Sequence, residues 1–303
     1  MRRVLGRLAL VPPTLLGITL VTFVLVHLAP GDPASLRAGT AAGVTPQVIA
    51  ENRALAGLDR PLGERYLAWL ARSARLDFGA SLVDGRSVRA RIGEALPRTA
   101  ALGGLAALLA VAAAIPLGVW SAARRGGRAE RLVETLLALG YALPPLSLAL
   151  VLLRLGAPYG GGSLAPAACL ALPSLVVLAR HQRGALLVVL GADFVRTARA
   201  KGLPERGVLR HALANALLPI VTLLGAQVPA LLSGSVLVEQ VFGVRGLGLL
   251  GYEALLARDY PMLMGLVTVS ALLTLAGVLA ADLAYGLLDP RLRSRLPDHG
   301  GAR

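Results

Sequence analysis

The histidines, the cysteine and any activated serine are the residues of this chain that could carry out catalysis or bind a metal, and their spacing argues against both. The four histidines do not form the H-E-x-x-H pattern that binds zinc on one face of a helix. Cys169 is the only cysteine, so neither an intrachain disulfide nor a cysteine-rich metal cluster can form. The G-x-S-x-G pattern of an activated serine is also absent. The sequence therefore argues against an enzyme and predicts no metal site; the histidines are His27, His181, His211 and His299.

Lys201 is the only lysine in the chain, and Gly202 follows it. A phosphate-binding P-loop needs G-x-x-x-x-G-K followed by serine or threonine, because the lysine reaches the phosphates and the hydroxyl group binds Mg²⁺. Lys201 cannot serve in such a loop, because a glycine stands where the hydroxyl group is needed. The chain therefore lacks a Walker A site for ATP.

The composition is that of a membrane protein. Hydrophobic residues make up 55% and charged residues 16% of the 303 positions, and the mean hydropathy is +0.67. A soluble domain carries about 25% charged residues. The apolar residues gather in six blocks that approach or exceed the ~20 residues with which a helix crosses a bilayer. We therefore predict an all-α membrane protein with six transmembrane helices, at residues 8–29, 99–121, 132–153, 163–179, 212–238 and 262–288.

The distribution of arginine predicts the orientation of the spans. If the N-terminus is cytoplasmic, four inner segments contain 18 of the 31 lysine and arginine residues and only five acidic residues. The positive-inside rule then places both termini in the cytoplasm. The first block is longer than the ~7–15 apolar residues of a signal peptide, and no clean A-x-A cleavage site follows it, so we expect an uncleaved span. This topology explains the basic charge better than nucleic-acid binding does; the inner segments are 1–7, 122–131, 180–211 and 289–303.

The segment between the first two spans is too long for a simple connection. Residues 64–76, ERYLAWLARSARL, have apolar side chains at helical spacing and predict an amphipathic helix. This periodicity favours a small folded external subdomain over a disordered loop. The predicted organisation is residues 1–29 as the N-terminal tail and first helix, 30–97 as the external subdomain, and 98–303 as the core, with a charged loop at 180–215.

The stretch DFVRTARAKGLPERGVLRHALANALLP, residues 193–219, is unusually rich in arginine for so apolar a chain. Asp193 is suited to cap a helix that begins at Phe194. Gly202 is suited to end that helix in a left-handed conformation, and Pro204 with Glu205 is suited to begin a second helix. The stretch therefore predicts a short helix, a sharp turn and a return to the membrane. The alternative is a positively charged inner loop with no partner.

This stretch closely resembles the cytoplasmic "EAA" loop of ABC-importer permeases, nearest to the dipeptide, oligopeptide and nickel subfamily. Arg196, Thr197 and Ala198 stand where the general motif has Glu-Ala-Ala, and Gly202 stands at its glycine. Further similarity is found in PTLLGITLVTF, GLDRPLGERYLAWL, VEQVFGVRGLGLL and DLAYGLLDPRLR, so the resemblance covers nearly the whole chain. Phe194 replaces the usual tyrosine, and the hairpin after the third span is shortened.

The resemblance implies that the chain is a transporter subunit that forms half of a translocation path and binds separate ATPase subunits through a coupling helix. It implies a second permease, two ABC ATPases and an external solute-binding protein as partners, in a bacterial cytoplasmic (inner) membrane. It implies no cofactor in this chain, since ATP and Mg²⁺ are held by the ATPases. The residues carried over to the coupling loop are Asp193, Phe194, Arg196, Thr197, Ala198, Arg199, Lys201, Gly202, Arg210, His211 and Asn215.

The translocation path and its cargo are less defined by the sequence. Asp282, Pro144 and Gln227 are candidates to line the path, although Asp282 could equally pair with a neighbouring helix. Dipeptides, oligopeptides, glutathione and nickel chelates are all substrates within the resembling subfamily. The sister permease could be a second copy or a different chain, and the import direction follows from the resemblance alone. A scaffold or regulatory subunit without transport remains the alternative of a different class.

Overall fold

A computed structural model describes residues 2–28, 60–160 and 162–288, and every regular element in these ranges is an α-helix. The predictions for residues 30–59 and 289–303 lie outside the described residues. The helices are α1 (Arg2–Leu28), α2 (Leu62–Ser73), α3 (Val88–Ala123), α4 (Arg128–Ala142), α5 (Pro145–Arg154), α6 (Leu164–Leu190), α7 (Asp193–Ala200), α8 (Glu205–Ala216), α9 (Leu218–Phe242), α10 (Leu247–Leu256) and α11 (Tyr260–Leu288).

The described helices are those of a multi-pass membrane protein. Five stretches are long and apolar enough to cross a bilayer, and the bent pair α4–α5 makes a sixth if it counts as one span. The fourth predicted span, 163–179, continues as α6 to Leu190, so Arg180 and Arg183 of the predicted inner segment lie on the same helix as that span. The five stretches are Leu8–Leu28, Val88–Ala123, Leu164–Leu190, Glu205–Gly225 and Tyr260–Ala281.

The third predicted span is broken at the double proline. Helices α4 and α5 meet at an angle of 91°. Pro145 disfavours the helical conformation at the residue before it, and Pro144 accordingly has an extended backbone with ψ of 135°. Pro145 itself starts α5, where its missing N–H costs no hydrogen bond. The single apolar block at 132–153 therefore forms two helices instead of the one that we predicted.

The described residues divide into two compact units, the first within 1–101 and 243–275 and the second within 102–242 and 276–303. In the first unit, the predicted amphipathic helix is present as α2 and packs against α1. Trp69 is buried in a cluster with Phe23, and the Tyr66 hydroxyl oxygen lies 3.0 Å from Thr19 Oγ1. At the end of α1, His27 Nε2 accepts a hydrogen bond of 2.6 Å from Arg65. One apolar face and two polar contacts thus hold α2 on α1.

A buried carboxylate organises the other part of the first unit. Asp259 is 1% exposed and immediately precedes α11. It accepts hydrogen bonds from the backbone N–H groups of Leu82 (3.1 Å) and Met262 (3.3 Å), and from the hydroxyl group of Ser81. The Ser81 oxygen in turn accepts the N–H of Val83 at 3.2 Å. Asp259 therefore ties the segment before α3 to the start of α11.

In the second unit, α9 crosses α11 at Gly225 with no room for a side chain. A Cβ atom added at Gly225 would lie 2.0 Å from the Cβ atom of Ala281. We expect Gly225→Ala to lower the free energy of unfolding by about 2 kcal/mol, as overpacking of a tight core does. Thermal unfolding in detergent measures this. Gly103→Ala in α3 is the control, because among the described residues nothing lies within 4 Å of its Cβ position; an equal loss in both variants would contradict the prediction.

Candidate coupling site

Helix α7 occupies the middle of the arginine-rich stretch, and its first residue differs from the prediction. Ala192, with an extended backbone (ψ of 152°), is the N-cap residue, and Asp193 is the first helical residue. Asp193 therefore does not cap the helix as predicted. Its negative charge still lies in the first turn, where it interacts favourably with the helix dipole. The Asp193 carboxylate lies 3.5 Å from Arg196 on the next turn, and both side chains are exposed.

The turn after α7 confirms the predicted role of Gly202. Its φ of +78° lies in the left-handed region that glycine adopts without strain. The N–H of Gly202 donates to the carbonyl oxygen of Arg199 (2.9 Å), and the N–H of Leu203 donates to that of Ala198 (3.2 Å). These two bonds form a Schellman motif, which satisfies carbonyl groups at the end of the helix. Pro204 is the N-cap residue of α8, which begins at Glu205.

An ion pair spans this turn and joins the two helices. Arg199 Nε lies 2.8 Å from one carboxylate oxygen of Glu205, and its Nη2 lies 3.3 Å from the other. The two contacts make a bidentate pair, or fork, which is the geometry in which guanidinium and carboxylate groups match best. Both side chains are largely exposed, so the pair contributes orientation more than stability. The fork and the Schellman motif together fix the angle at which α8 leaves α7.

A small apolar cluster holds α7 in place, and we refer to it as the seat of α7. It consists of buried side chains from α3, α6, α7 and α8, with Val195 of α7 at 1% exposure. Ala198, which the resemblance placed in the coupling motif, is half-buried and packs against this cluster. Sequence reasoning missed the seat, although the i, i+3 spacing of Val195 and Ala198 is a weak signal for it. Its buried members are Ala122, Leu186, Val195, Val208, Ala212 and Ala216.

The opposite side of the stretch is exposed and mainly basic. Two apolar side chains stand among the charges, Phe194 at 40% and Leu203 at 42% exposure. The Phe194 ring meets the His211 ring edge-on, with centroids 5.7 Å apart. The Asn215 side chain donates to the His211 carbonyl oxygen within α8. We define the coupling surface as the exposed side chains of Phe194, Arg196, Thr197, Arg199, Lys201, Leu203, Arg206 and Arg210.

The candidates for the translocation path are spread over three helices or turns. Gln227 of α9 is half-buried and accepts a hydrogen bond of 3.2 Å from the Ser174 hydroxyl group of α6. Pro144 is exposed at the break between α4 and α5. Asp282 lies in α11, but its side chain is outside the part of the chain that the structure describes. Their part in a path therefore stays a prediction.

Comparison with known proteins gives matches over both halves of the chain. Residues 114–294 match the family described as binding-protein-dependent transport system inner membrane component, and residues 1–103 match the N-terminal family of such membrane components. The oligopeptide transport system permease protein AppB of Bacillus subtilis is 36% identical over 307 residues, which cover 92% of this chain and 95% of that protein.

Two further relatives are similar over almost their whole length. The dipeptide transport system permease protein DppB of Escherichia coli K12 is 34% identical over 335 residues, covering 96% of this chain and 98% of the relative. The probable peptide ABC transporter permease protein y4tP of Sinorhizobium fredii is 36% identical over 292 residues, covering 89% and 92%. All three matches include the helices that form the seat and the coupling surface.

Proposed function

This chain belongs to the family of binding-protein-dependent transport system inner membrane components, and on that premise we propose that it is the membrane-spanning permease subunit of an ATP-driven peptide importer. The relatives named as oligopeptide and dipeptide permeases support peptides as the substrate class. We place the chain in the bacterial inner membrane, which the same relatives support, and propose that both termini are cytoplasmic, which the arginine distribution favours.

The observation that carries the proposal is the coupling surface. A basic surface with two exposed apolar side chains, mounted on a short helix with a buried underside, is suited to bind a partner protein. The chain has no P-loop lysine, which supports a separate ABC ATPase as the partner that binds ATP. We propose two such ATPases, a second permease that completes the path, and an external solute-binding protein.

The seat explains how the partner could move the permease. Val195 is buried in one apolar cluster with side chains of α6 and α8, so a displacement of α7 presses directly on those helices. Closure of the ATPases on ATP would draw the coupling surfaces together. Rigid-body rocking of the attached helices would then expose the path to the two sides of the membrane in turn. In this scheme, Gln227, which accepts a hydrogen bond from Ser174 between α6 and α9, would line the path.

An affinity pull-down tests the proposal directly. The chain, tagged at its C-terminus, is extracted from native membranes in mild detergent and its partners are identified by mass spectrometry. We expect to recover a second permease and P-loop ATPases in stoichiometric amounts. The control is the same pull-down with a tagged multi-pass protein of another family, which should recover neither. Recovery of the chain alone in several detergents would contradict the proposal and favour a scaffold or regulatory role.

A further inference from the structure

A group of four charged side chains joins α4 to α6 in the second unit. Arg183 of α6 donates from Nε (3.0 Å) and from Nη2 to the same carboxylate oxygen of Glu130 on α4. Arg183 Nε also lies 3.5 Å from Glu134, and Arg180 lies 3.6 Å from the other oxygen of Glu134. The Glu130 contacts are the shortest, so Glu130 is the centre of this group.

Glu130 also holds the turn before its own helix. Its second carboxylate oxygen accepts the N–H of Gly126, which has a φ of +81° in the turn between α3 and α4. One carboxylate therefore bonds the α3–α4 turn with one oxygen and α6 with the other. Charged side chains are rarely as buried as Glu130, which is 8% exposed, unless they are paired in this way.

These two attachments lie next to the seat of α7. Ala122 of α3 belongs to the seat. It lies four residues before Gly126, the turn residue whose N–H group bonds Glu130. Leu186 of α6 also belongs to the seat and follows Arg183 by three residues, less than one helical turn. Glu130 thus connects the α3 and α6 contributions to the seat without belonging to it.

We infer that Glu130, through Arg183, is a positioning residue for coupling: it locks the α3 and α6 parts of the seat together, so that a displacement of α7 is passed to the spans. The importance of this lock for transport rests on the function proposed above. Its mechanical part does not, because the contacts lie within this chain alone. Without the Glu130–Arg183 contact, α7 would move relative to α3 and α6, and its displacement would not be passed to these spans.

The mechanical part is tested in the purified full chain with a nitroxide at Ala200→Cys, an exposed position on α7. The native Cys169 is buried, so the engineered cysteine is the accessible one. We expect Glu130→Ala and Arg183→Ala each to remove the immobilised component of the spectrum. The double variant should match the worse single variant, because both break the same contact.

Controls separate loosening from unfolding. Glu94→Ala breaks an exposed ion pair with Arg86 in the first unit and should leave the spectrum unchanged. A label at Ala68→Cys on α2 should be unaffected by Glu130→Ala. Glu130→Gln keeps an acceptor for Gly126 and should retain much of the immobilised component. An unchanged α7 label in both Glu130 variants, with helical circular dichroism intact, would overturn the inference.

The coupling part is tested in the ATPase complex reconstituted with its binding protein, using a radiolabelled dipeptide mixture. The measured quantity is peptide transported per ATP hydrolysed, which a mere loss of folded complex would not change. We expect Glu130→Ala to lower this ratio about fivefold, within the range for residues that modulate coupling between sites. A normal ratio would overturn the role in coupling. If no ATPase binds the unaltered chain, the proposed function fails while the label result still decides the role of Glu130.

Discussion

Gly202→Pro should abolish co-purification of ATPase subunits with this chain. Proline fixes φ near −65°, whereas Gly202 adopts +78° and donates its N–H to Arg199. The substitution therefore removes both the left-handed turn and one of the two bonds of the Schellman motif. Helix α8 would leave α7 in another direction, and the two halves of the coupling surface would no longer face one partner. The measurement is the amount of ATPase recovered per tagged chain.

Gly202→Ala is the matched control for this prediction. Among the described residues nothing lies within 4 Å of a Cβ atom at this position, so alanine pays only the left-handed penalty of about 1 kcal/mol. We expect it to retain most of the ATPase. Arg199→Glu, in contrast, places a second carboxylate beside Glu205 and should release the ATPase while membrane insertion stays intact. Normal recovery with both Gly202→Pro and Arg199→Glu would refute the assignment of the coupling surface.

Asp259→Ala is expected to be the most destabilising single substitution outside the coupling surface. It removes the acceptor of two buried donors, the Ser81 hydroxyl group and the N–H group of Met262, and one hydrogen bond of the part-buried Leu82 N–H group. Each unsatisfied buried donor costs about 1–3 kcal/mol, so we expect the free energy of unfolding to fall by roughly 3–5 kcal/mol. Trp69 lies buried in the same unit, and its fluorescence in a Trp120→Phe background reports the unfolding.

Two variants bracket the effect of Asp259. Asp259→Asn keeps one oxygen for the backbone donors and should lose only part of the stability. Glu64→Ala removes an exposed carboxylate from α2 in the same unit, and such surface changes stay within about 0.5 kcal/mol. If Asp259→Ala unfolded at the same temperature as Glu64→Ala, the Asp259 carboxylate would not stabilise this unit as predicted.

The sequence predicted most of the helices because their signals are local. Three of these signals are the long apolar blocks, the apolar periodicity of α2 and the glycine after α7. Each is read from neighbouring residues, and the structure contains the corresponding helices and the left-handed turn. The errors also have local causes. Hydropathy alone predicted one span at 132–153, but two adjacent prolines divide it into two helices. Ala192, and not Asp193 as we expected, is the N-cap residue of α7. An extended residue before a helix defines its cap, and side-chain preference decides only in part.

The candidate site was predictable only as a stretch of chain. The resemblance identified its residues, but a helix of eight residues has too few turns for periodicity to show which face is buried. The resemblance placed Ala198 in the coupling loop, but the sequence did not predict that it also packs on the seat. The Glu130–Arg183 pair was missed because its members are 53 residues apart. The orientation argument placed both residues in inner segments, Glu130 in 122–131 and Arg183 in 180–211.

The position of Lys201 has a practical consequence for mapping the partner. It is the only lysine in the chain, it is exposed, and it stands between α7 and the turn. A lysine-specific endoprotease can therefore cut the polypeptide at one bond only, Lys201–Gly202, and yields two fragments of predictable mass. A bound ATPase would shield that bond, so the rate of this single cleavage reads out occupancy of the coupling surface without any engineered tag or label.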